Sequence, residues 1–521
     1  MPDILSAYAA SQPDKPAVID DRGELGVVSW SYAQLETEAC RLANALATLG
    51  AGPGQKIIWC GPNSRRVVAL MAAARKLGAV AVPLNYRLTP QEASYIIGHC
   101  DAAIAYMDAE YAHLAGGPDG APGRLRHVLV FGGPPPAGMP EGPQVLGEEF
   151  AAAAPADPPG HDPEGASTMI YTSGTTGKPK GALRRRTDEA SVLGLVGLIG
   201  FTPGDVYLTT GPLYHSGPSA FMTIALALGQ TVVLQRRFDP EDWLRLVDAY
   251  GVTSTFSAPT PIRMVCALPA EVKARYDRSS MKRMVANAAP WSLALKQSYL
   301  SDFPADSLFE VYGSTELGVN CVLEPADQLR KPGSCGRPAP GVEIRLVDEL
   351  GREVTGTGPD HAGELFVRSA QVFNEYYKQP DSYEAARHGD FHTVGDIAYR
   401  DDEGYIYICD RKTDMIVSAG MNIYPAEIEA ALEQHPAIYD VAVFGIPSPE
   451  WGELVHATVV LAPGASLSAE EVTAYAREHL AGYKTPRSVT FTDELPRTGS
   501  GTILKRQLRA PYWTGRATQV G

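Results

Sequence analysis

Apolar residues fall at helical spacing early in the chain. Ser31-Tyr32-Ala33-Gln34 has the form of a capping box, and Leu35, Ala39, Leu42 and Leu46 follow on one face until Gly50 ends the run. This pattern predicts an amphipathic helix. Residues 55–60 then read as a strand, 65–77 as a helix and 80–84 as a short apolar strand, the β-α-β rhythm of a wound parallel sheet. Strand-like segments at 168–171, 206–210, 231–234 and 253–257 extend it. Stretches rich in Pro, Gly and Ala at 116–123, 132–143 and 151–160 interrupt the rhythm and are expected to be surface excursions. Near the end the texture changes to helix 425–432, strands 440–445 and 455–461, helix 469–480 and strand 488–491, a compact α+β unit. The charged run Asp410-Arg411-Lys412-Thr413-Asp414, between strand-like 405–408 and apolar 415–417, marks the expected junction.

With 521 residues the chain is longer than one hydrophobic core supports, so at least two domains are expected. A formal charge of −15 leaves no general basic field for a phosphate backbone, which argues against nucleic acid as a main partner. The seven cysteines are scattered without a C-x-x-C pair, a pattern of reduced thiols rather than of disulfides or a zinc site. The first residues lack a basic, apolar leader, and no apolar stretch reaches the roughly 20 residues of a membrane span, so a cytoplasmic protein without an integral membrane segment is expected. Homo-oligomers are left open.

The sharpest chemical signal is Tyr171-Thr172-Ser173-Gly174-Thr175-Thr176-Gly177-Lys178-Pro179-Lys180-Gly181, directly after an apolar strand. Its glycines let backbone N–H groups turn inward, its hydroxyls add donors and its lysines add charge, a combination suited to a nucleotide phosphate chain. The Walker A pattern is not met, because two residues separate Gly174 from Gly177 and Pro179 stands where Ser or Thr would hold magnesium. The chain also lacks the G-x-S-x-G of an α/β-hydrolase, and Gly50-Ala51-Gly52-Pro53-Gly54 fails the dinucleotide spacing.

This loop resembles the signature of the adenylate-forming (ANL) superfamily, and further motifs follow in that family's order from about residue 5 to residue 507. Tyr312-Gly313-Ser314-Thr315-Glu316 resembles its second nucleotide motif, which implies that Glu316 coordinates Mg²⁺ and Thr315 touches the α-phosphate. Asn287-Ala288-Ala289-Pro290 resembles the segment lining adenine and the acyl pocket. Thr393-Val394-Gly395-Asp396 and Asp410-Arg411 resemble the ribose motifs, with Asp396 and Arg411 on the hydroxyls and Ile408 packed on adenosine. Thr413 takes the hinge position, and Gly420 would line the thiol tunnel. Leu213-Tyr214-His215-Ser216-Gly217 resembles the motif whose histidine stands between the carboxylate site and the pantetheine path. The acyl pocket is then expected to draw on Tyr214, His215, Ser219, Met222, Phe256, Ser257, Ala258, Ala286 and Val319.

The resemblance implies an α/β fold: a large N-terminal domain of wound mixed or parallel sheets over 1–411, a hinge at 412–413 and a small mobile α+β lid over 414–521. It implies ATP-dependent activation of a small carboxylic acid, a fatty acid first, to an acyl adenylate with loss of pyrophosphate, then transfer to coenzyme A. ATP or AMP, Mg²⁺ and coenzyme A are the expected cofactors and co-substrates. An aryl-CoA ligase, an adenylate former with another acceptor, and a non-catalytic nucleotide or acyl binder are the alternatives. One departure bears on the first step. The family's Pro-x-Thr-x-x-Gly-Lys run is here Pro496-Arg497-Thr498-Gly499-Ser500-Gly501-Thr502, with Thr502 at the position of the catalytic lysine. Loss of such a preorganised cation costs on the order of 10²–10³ in rate, and Lys505 is a poor substitute by register.

Overall fold

Two large sheets form the body of the protein. The computed structural model describes residues 3–514 apart from 117–122, 140, 161–166, 173–178, 186–188, 288, 290, 413, 419–420, 449, 498–502 and the side chain of 422. Through the first sheet, strands Thr231–Leu234, Val206–Thr209, Ser254–Ser257, Arg283–Ala286 and Leu308–Ser314 run parallel, and Gly318–Leu323 turns back antiparallel against the last. In the second, Lys56–Cys60 lies parallel between Val80–Leu84 and Ile104–Asp108. Ser167–Thr172 joins Val80–Leu84 in parallel, and Lys180–Arg184 returns antiparallel beside it. The near-continuous apolar runs of these strands are what a sheet covered on both faces requires.

The capping box forms as the sequence predicts. Ser31 Oγ accepts from the Gln34 amide at 3.3 Å and Gln34 Oε1 from the Ser31 amide at 2.8 Å, opening the helix Tyr32–Thr48. Its buried face, Leu35, Leu42 and Leu46, shares a core with Val67 and Leu70 of the helix Arg65–Lys76. The excursion 151–160 is tied down, since the Asn44 side-chain amide donates to the Pro155 and Asp157 carbonyls at 2.9 and 2.8 Å.

Three features differ from the expectations. A third sheet, with Glu343–Val347, Gly363–Arg368, Asp396–Arg400 and Ile406–Arg411, was not anticipated beyond the strand-like segment 405–408. The charged run that begins at Asp410 is in part strand. Ile406–Arg411 extends into it, and Asp410 is buried, accepting from the Arg411 and Ala426 amides at 2.7 and 2.9 Å. The C-terminal hairpin is longer than its apolar runs, with Ile438–Ser448 paired to Gly452–Leu461, because backbone pairing continues through Pro447 and Glu453 to Ser448 opposite Gly452. Helices Pro425–Leu432 and Ala469–His479 cover this fourth sheet. No helix among the described residues is long and apolar enough to cross a membrane. All seven cysteines are free thiols, with Cys40, Cys60, Cys100 and Cys321 buried and Cys266, Cys335 and Cys409 half-buried.

The fourth sheet contains a pH-sensitive core residue. His456 is buried and hydrogen-bonds Ser488 Oγ at 2.9 Å and Thr490 Oγ1 at 3.1 Å across strands, and burial pushes its imidazole pKa down to about 4. A folded pKa below the unfolded value means its contribution is complete above about pH 6.5 and is lost as pH falls through about 4. Glu433, pushed up to about 7 by burial, acts in the opposite sense over an overlapping range. The difference between unaltered protein and His456→Gln isolates the histidine. Thermal unfolding from pH 7 to 4 is expected to favour the variant progressively, by about 3 kcal/mol at the acid end; a pH-independent difference would contradict the assignment.

Candidate active site

A cleft of about 4280 Å³ opens beyond the carboxyl ends of the parallel strands of both large sheets and continues to the C-terminal unit. Wound sheets place their ligands at such ends, where side chains from many strands converge without disturbing the ladder. Thr172 ends the strand Ser167–Thr172, and Glu316 lies in the turn between Leu308–Ser314 and Gly318–Leu323. The two meet: Thr172 Oγ1 donates to Glu316 Oε1 at 3.0 Å, and Tyr376 Oη donates to the same oxygen at 3.1 Å. Ser216 Oγ and Thr315 Oγ1 are 2.9 Å apart, a hydroxyl pair whose threonine is one residue before Glu316 in the turn. Arg184 Nη2 donates to the Thr315 carbonyl at 2.6 Å. Burial brings its pKa down to about 10, against the pull of the Glu316 carboxylate, so it remains a cation at neutral pH.

The turn that carries Glu316 needs a glycine. The Gly313 backbone lies so close to the returning strand that a Cβ there would stand 2.0 Å from the Gly318 carbonyl oxygen. Further along the cleft, Tyr312 Oη donates to Asp396 Oδ2 at 2.5 Å, and Arg411 Nε lies 3.4 Å from Asp396 Oδ1. This carboxylate therefore sits between a phenol and a guanidinium. Burial, then the Asp396 charge, raises the Tyr312 phenol well above its usual range, which keeps it a donor. Lys180 bonds Ser382 Oγ at 3.2 Å with its ammonium over the Tyr376 ring.

Of the other residues singled out by sequence, Gly313, Ser314, Ile408 and Ala289 line the cleft, as do Tyr214, His215, Ser219, Phe256, Ala258 and Val319. Met222, Ser257 and Ala286 do not. Met222 and Ala286 are packed in the hydrophobic cores, and Ser257 is fully buried with its hydroxyl on the Ala258 carbonyl. Each neighbours a lining residue in sequence but faces the other way on its helix or strand. Ser173, Gly174, Thr175, Thr176, Gly177, Lys178, Ala288, Pro290, Thr413, Gly420 and Thr502 lie outside the described residues.

The AMP-binding enzyme model matches residues 5–377, and the model of the AMP-binding enzyme C-terminal domain matches residues 427–502. The chain belongs to the AMP-binding enzyme family. Similar proteins include the fatty acid–[acyl-carrier-protein] ligase ScoC of Streptomyces coeruleorubidus, 34% identical over 99% of this chain and 97% of that protein. Another is the feruloyl-CoA synthase of an Amycolatopsis species, 35% identical over 94% of this chain and 95% of that one. Among solved structures, o-succinylbenzoate CoA synthetase (MenE) from Bacillus subtilis, in complex with the acyl-adenylate intermediate OSB-AMP, superposes with a TM-score of 0.81. Identity there is 27%, covering 100% of this chain and 99% of that one. This AMP-binding enzyme thus has the mixed α/β fold of the adenylate-forming superfamily, and the curated relatives it resembles are acid–thiol ligases.

Several cleft groups of this AMP-binding enzyme escaped the motif reading. Arg184 falls in an arginine run that reads as surface charge, and Tyr376 lies 60 residues from the carboxylate it bonds. Asn63 braces the loop before His215, its Oδ1 accepting from the Leu213 amide at 2.8 Å and its Nδ2 donating to the Gly211 carbonyl at 3.0 Å. Only an uncharged polar residue directly after an apolar strand and its Gly-Pro turn could have signalled it. Gly313→Ala would drive a methyl into backbone, so it is expected to displace the turn bearing Thr315 and Glu316. AMP affinity by calorimetry should fall at least about tenfold, the loss of one charge-assisted contact; unchanged affinity would mean the turn does not hold the nucleotide.

Proposed function

We propose that the chain activates an apolar carboxylic acid, fatty or aromatic, with ATP and passes the acyl group to coenzyme A. The observation that carries this reading is the meeting of Thr172 and Tyr376 on the Glu316 carboxylate, next in sequence to the Ser216–Thr315 hydroxyl pair, with Asp396 between Tyr312 and Arg411 further along the cleft. Hydroxyls and a carboxylate suit a phosphate chain, and a second carboxylate flanked by donors suits a vicinal diol. In the first step a carboxylate oxygen of the acid bonds to the α-phosphorus as the bond to pyrophosphate breaks, the electron pair leaving with pyrophosphate. In the second, the thiolate of coenzyme A attacks the acyl carbon and AMP departs. His215, at the start of helix Ser216–Ala227, lines the cleft together with Phe256 and Val319, which supports a role for it in bounding the acyl space.

The donor set at Glu316 fits magnesium. Both hydrogen bonds that its carboxylate accepts among the described residues fall on Oε1, and those residues form no cluster of three or more His, Cys, Asp or Glu. Magnesium commonly takes one or two carboxylates with substrate phosphates as the remaining ligands. Bound there, the ion would neutralise charge on the triphosphate.

Thr502 favours a second reading, in which the first step is slow or absent and the cleft binds nucleotide and acyl group without turnover. Lys505 does not take its place, because its ammonium lies 2.9 Å from Glu429 in a buried ion pair. Mass-spectrometric product analysis with Mg-ATP, coenzyme A and a panel of octanoate, palmitate, benzoate and ferulate separates the readings. The proposal expects acyl-CoA and AMP with at least one acid, and a yield rising on the order of 10²-fold in Thr502→Lys. ATP binding without pyrophosphate or thioester from either form would overturn it.

A further inference from the structure

A triphosphate and a carboxylate brought together in a half-buried cleft repel each other, and the enzyme must supply a positive charge where they meet. Most cations on the cleft wall are already committed. Arg411 faces Asp396, Lys505 faces Glu429, and Arg497 and Arg509 pair with Asp440 and Glu453. Lys180 is bonded to Ser382 over the Tyr376 ring. Arg184 differs. It ends the strand Lys180–Arg184, opposite Thr168 in the second sheet, and lines the cleft half-buried. Its one hydrogen bond among the described residues goes to an uncharged group, the Thr315 carbonyl, and no carboxylate among them lies within ion-pairing distance of it.

Burying a guanidinium without a salt-bridge partner is costly unless an anion completes it. The Thr315 carbonyl fixes one end of the fork and leaves the other nitrogens for a ligand. The groups around that carbonyl are the Ser216 and Thr315 hydroxyls and, one residue on, Glu316. Planar guanidinium forks match phosphate oxygens in pairs, which a lysine ammonium does not.

We propose that Arg184 is a catalytic residue that binds the α-phosphoryl group of the nucleotide and holds it while the carboxylate of the acid attacks. This rests on the nucleotide reading of the cleft above. As the new oxygen–phosphorus bond forms and the bond to pyrophosphate breaks, charge on the equatorial phosphoryl oxygens is shared with the guanidinium. The same contact persists in the acyl adenylate and in AMP. The cation therefore comes from the large domain and is present whether or not the C-terminal unit moves.

The test compares AMP with adenosine, which share the base and ribose and differ in the phosphate, so it requires no knowledge of the acid. In calorimetry the unaltered protein is expected to bind AMP more tightly than adenosine. Arg184→Gln should lower AMP affinity on the order of tenfold to a hundredfold while leaving adenosine affinity unchanged, and Arg184→Lys should restore part of the difference. Equal losses for both ligands would mark Arg184 as structural and overturn the proposal, as would undiminished AMP binding in Arg184→Gln. Failure of the unaltered protein to distinguish AMP from adenosine would remove the nucleotide reading itself.

Discussion

The carboxylate of Glu316 is where the two large sheets meet. Thr172 reaches it from the end of a strand in the second sheet, Glu316 itself stands on a turn of the first, and Tyr376 arrives from a short strand paired with Lys180–Arg184. The Glu316 carbonyl is held too, accepting from the Phe373 amide at 2.7 Å. A carboxylate only 8% exposed must be met by donors, or its desolvation would outweigh whatever the turn gains. Satisfying it draws together segments 144 and 60 residues apart in sequence, and the cleft is the space that remains around that knot.

Burial of charge governs the rest of the site as well. Lys296 and Glu310 form a nearly solvent-free ion pair under the strand Leu308–Ser314, with Glu310 also accepting from the Trp291 amide at 3.4 Å. This fixes the segment after Asn287 against the strand that carries Tyr312. Asn287 adds to it, donating to the Val311 carbonyl at 2.6 Å. The wall of the cleft beside Asp396 is thus rigid where a flat base and a ribose would rest. On the far side, Asp440, Glu429 and Glu453 of the C-terminal unit are answered by Arg497, Lys505 and Arg509 of its last segment, which ties that segment to its own sheet.

Where apolar periodicity was strong, the sequence predicted the elements to within a residue or two, as in Tyr32–Thr48, Val80–Leu84, Pro425–Leu432 and Ser488–Phe491. Of the third sheet only the segment 405–408 was read as strand-like; its edge strands, such as Phe391–His392, are too short to carry a period. Contiguous motifs such as Tyr312–Glu316 and Tyr171–Gly181 stood out because their chemistry-bearing residues are neighbours in the chain. Single residues brought to the cleft from other strands did not. Arg184, Tyr376 and Asn63 reach the cleft through strand order, which no local pattern encodes. The misassigned pocket residues fail for a related reason: sequence proximity placed Met222, Ser257 and Ala286 near the cleft, but the face of a helix or strand decides exposure, and theirs is the core face.

The account depends on one claim, that a single nucleotide spans the cleft from Glu316 to Asp396. The direct measurement is a crystal structure of the protein with AMP. The account predicts ribose hydroxyls on the Asp396 carboxylate and phosphate oxygens against Thr315, with the base lying along the wall formed by Ala289 and Tyr312. AMP bound with its ribose away from Asp396, or its phosphate turned from Thr315 and Glu316, would contradict it.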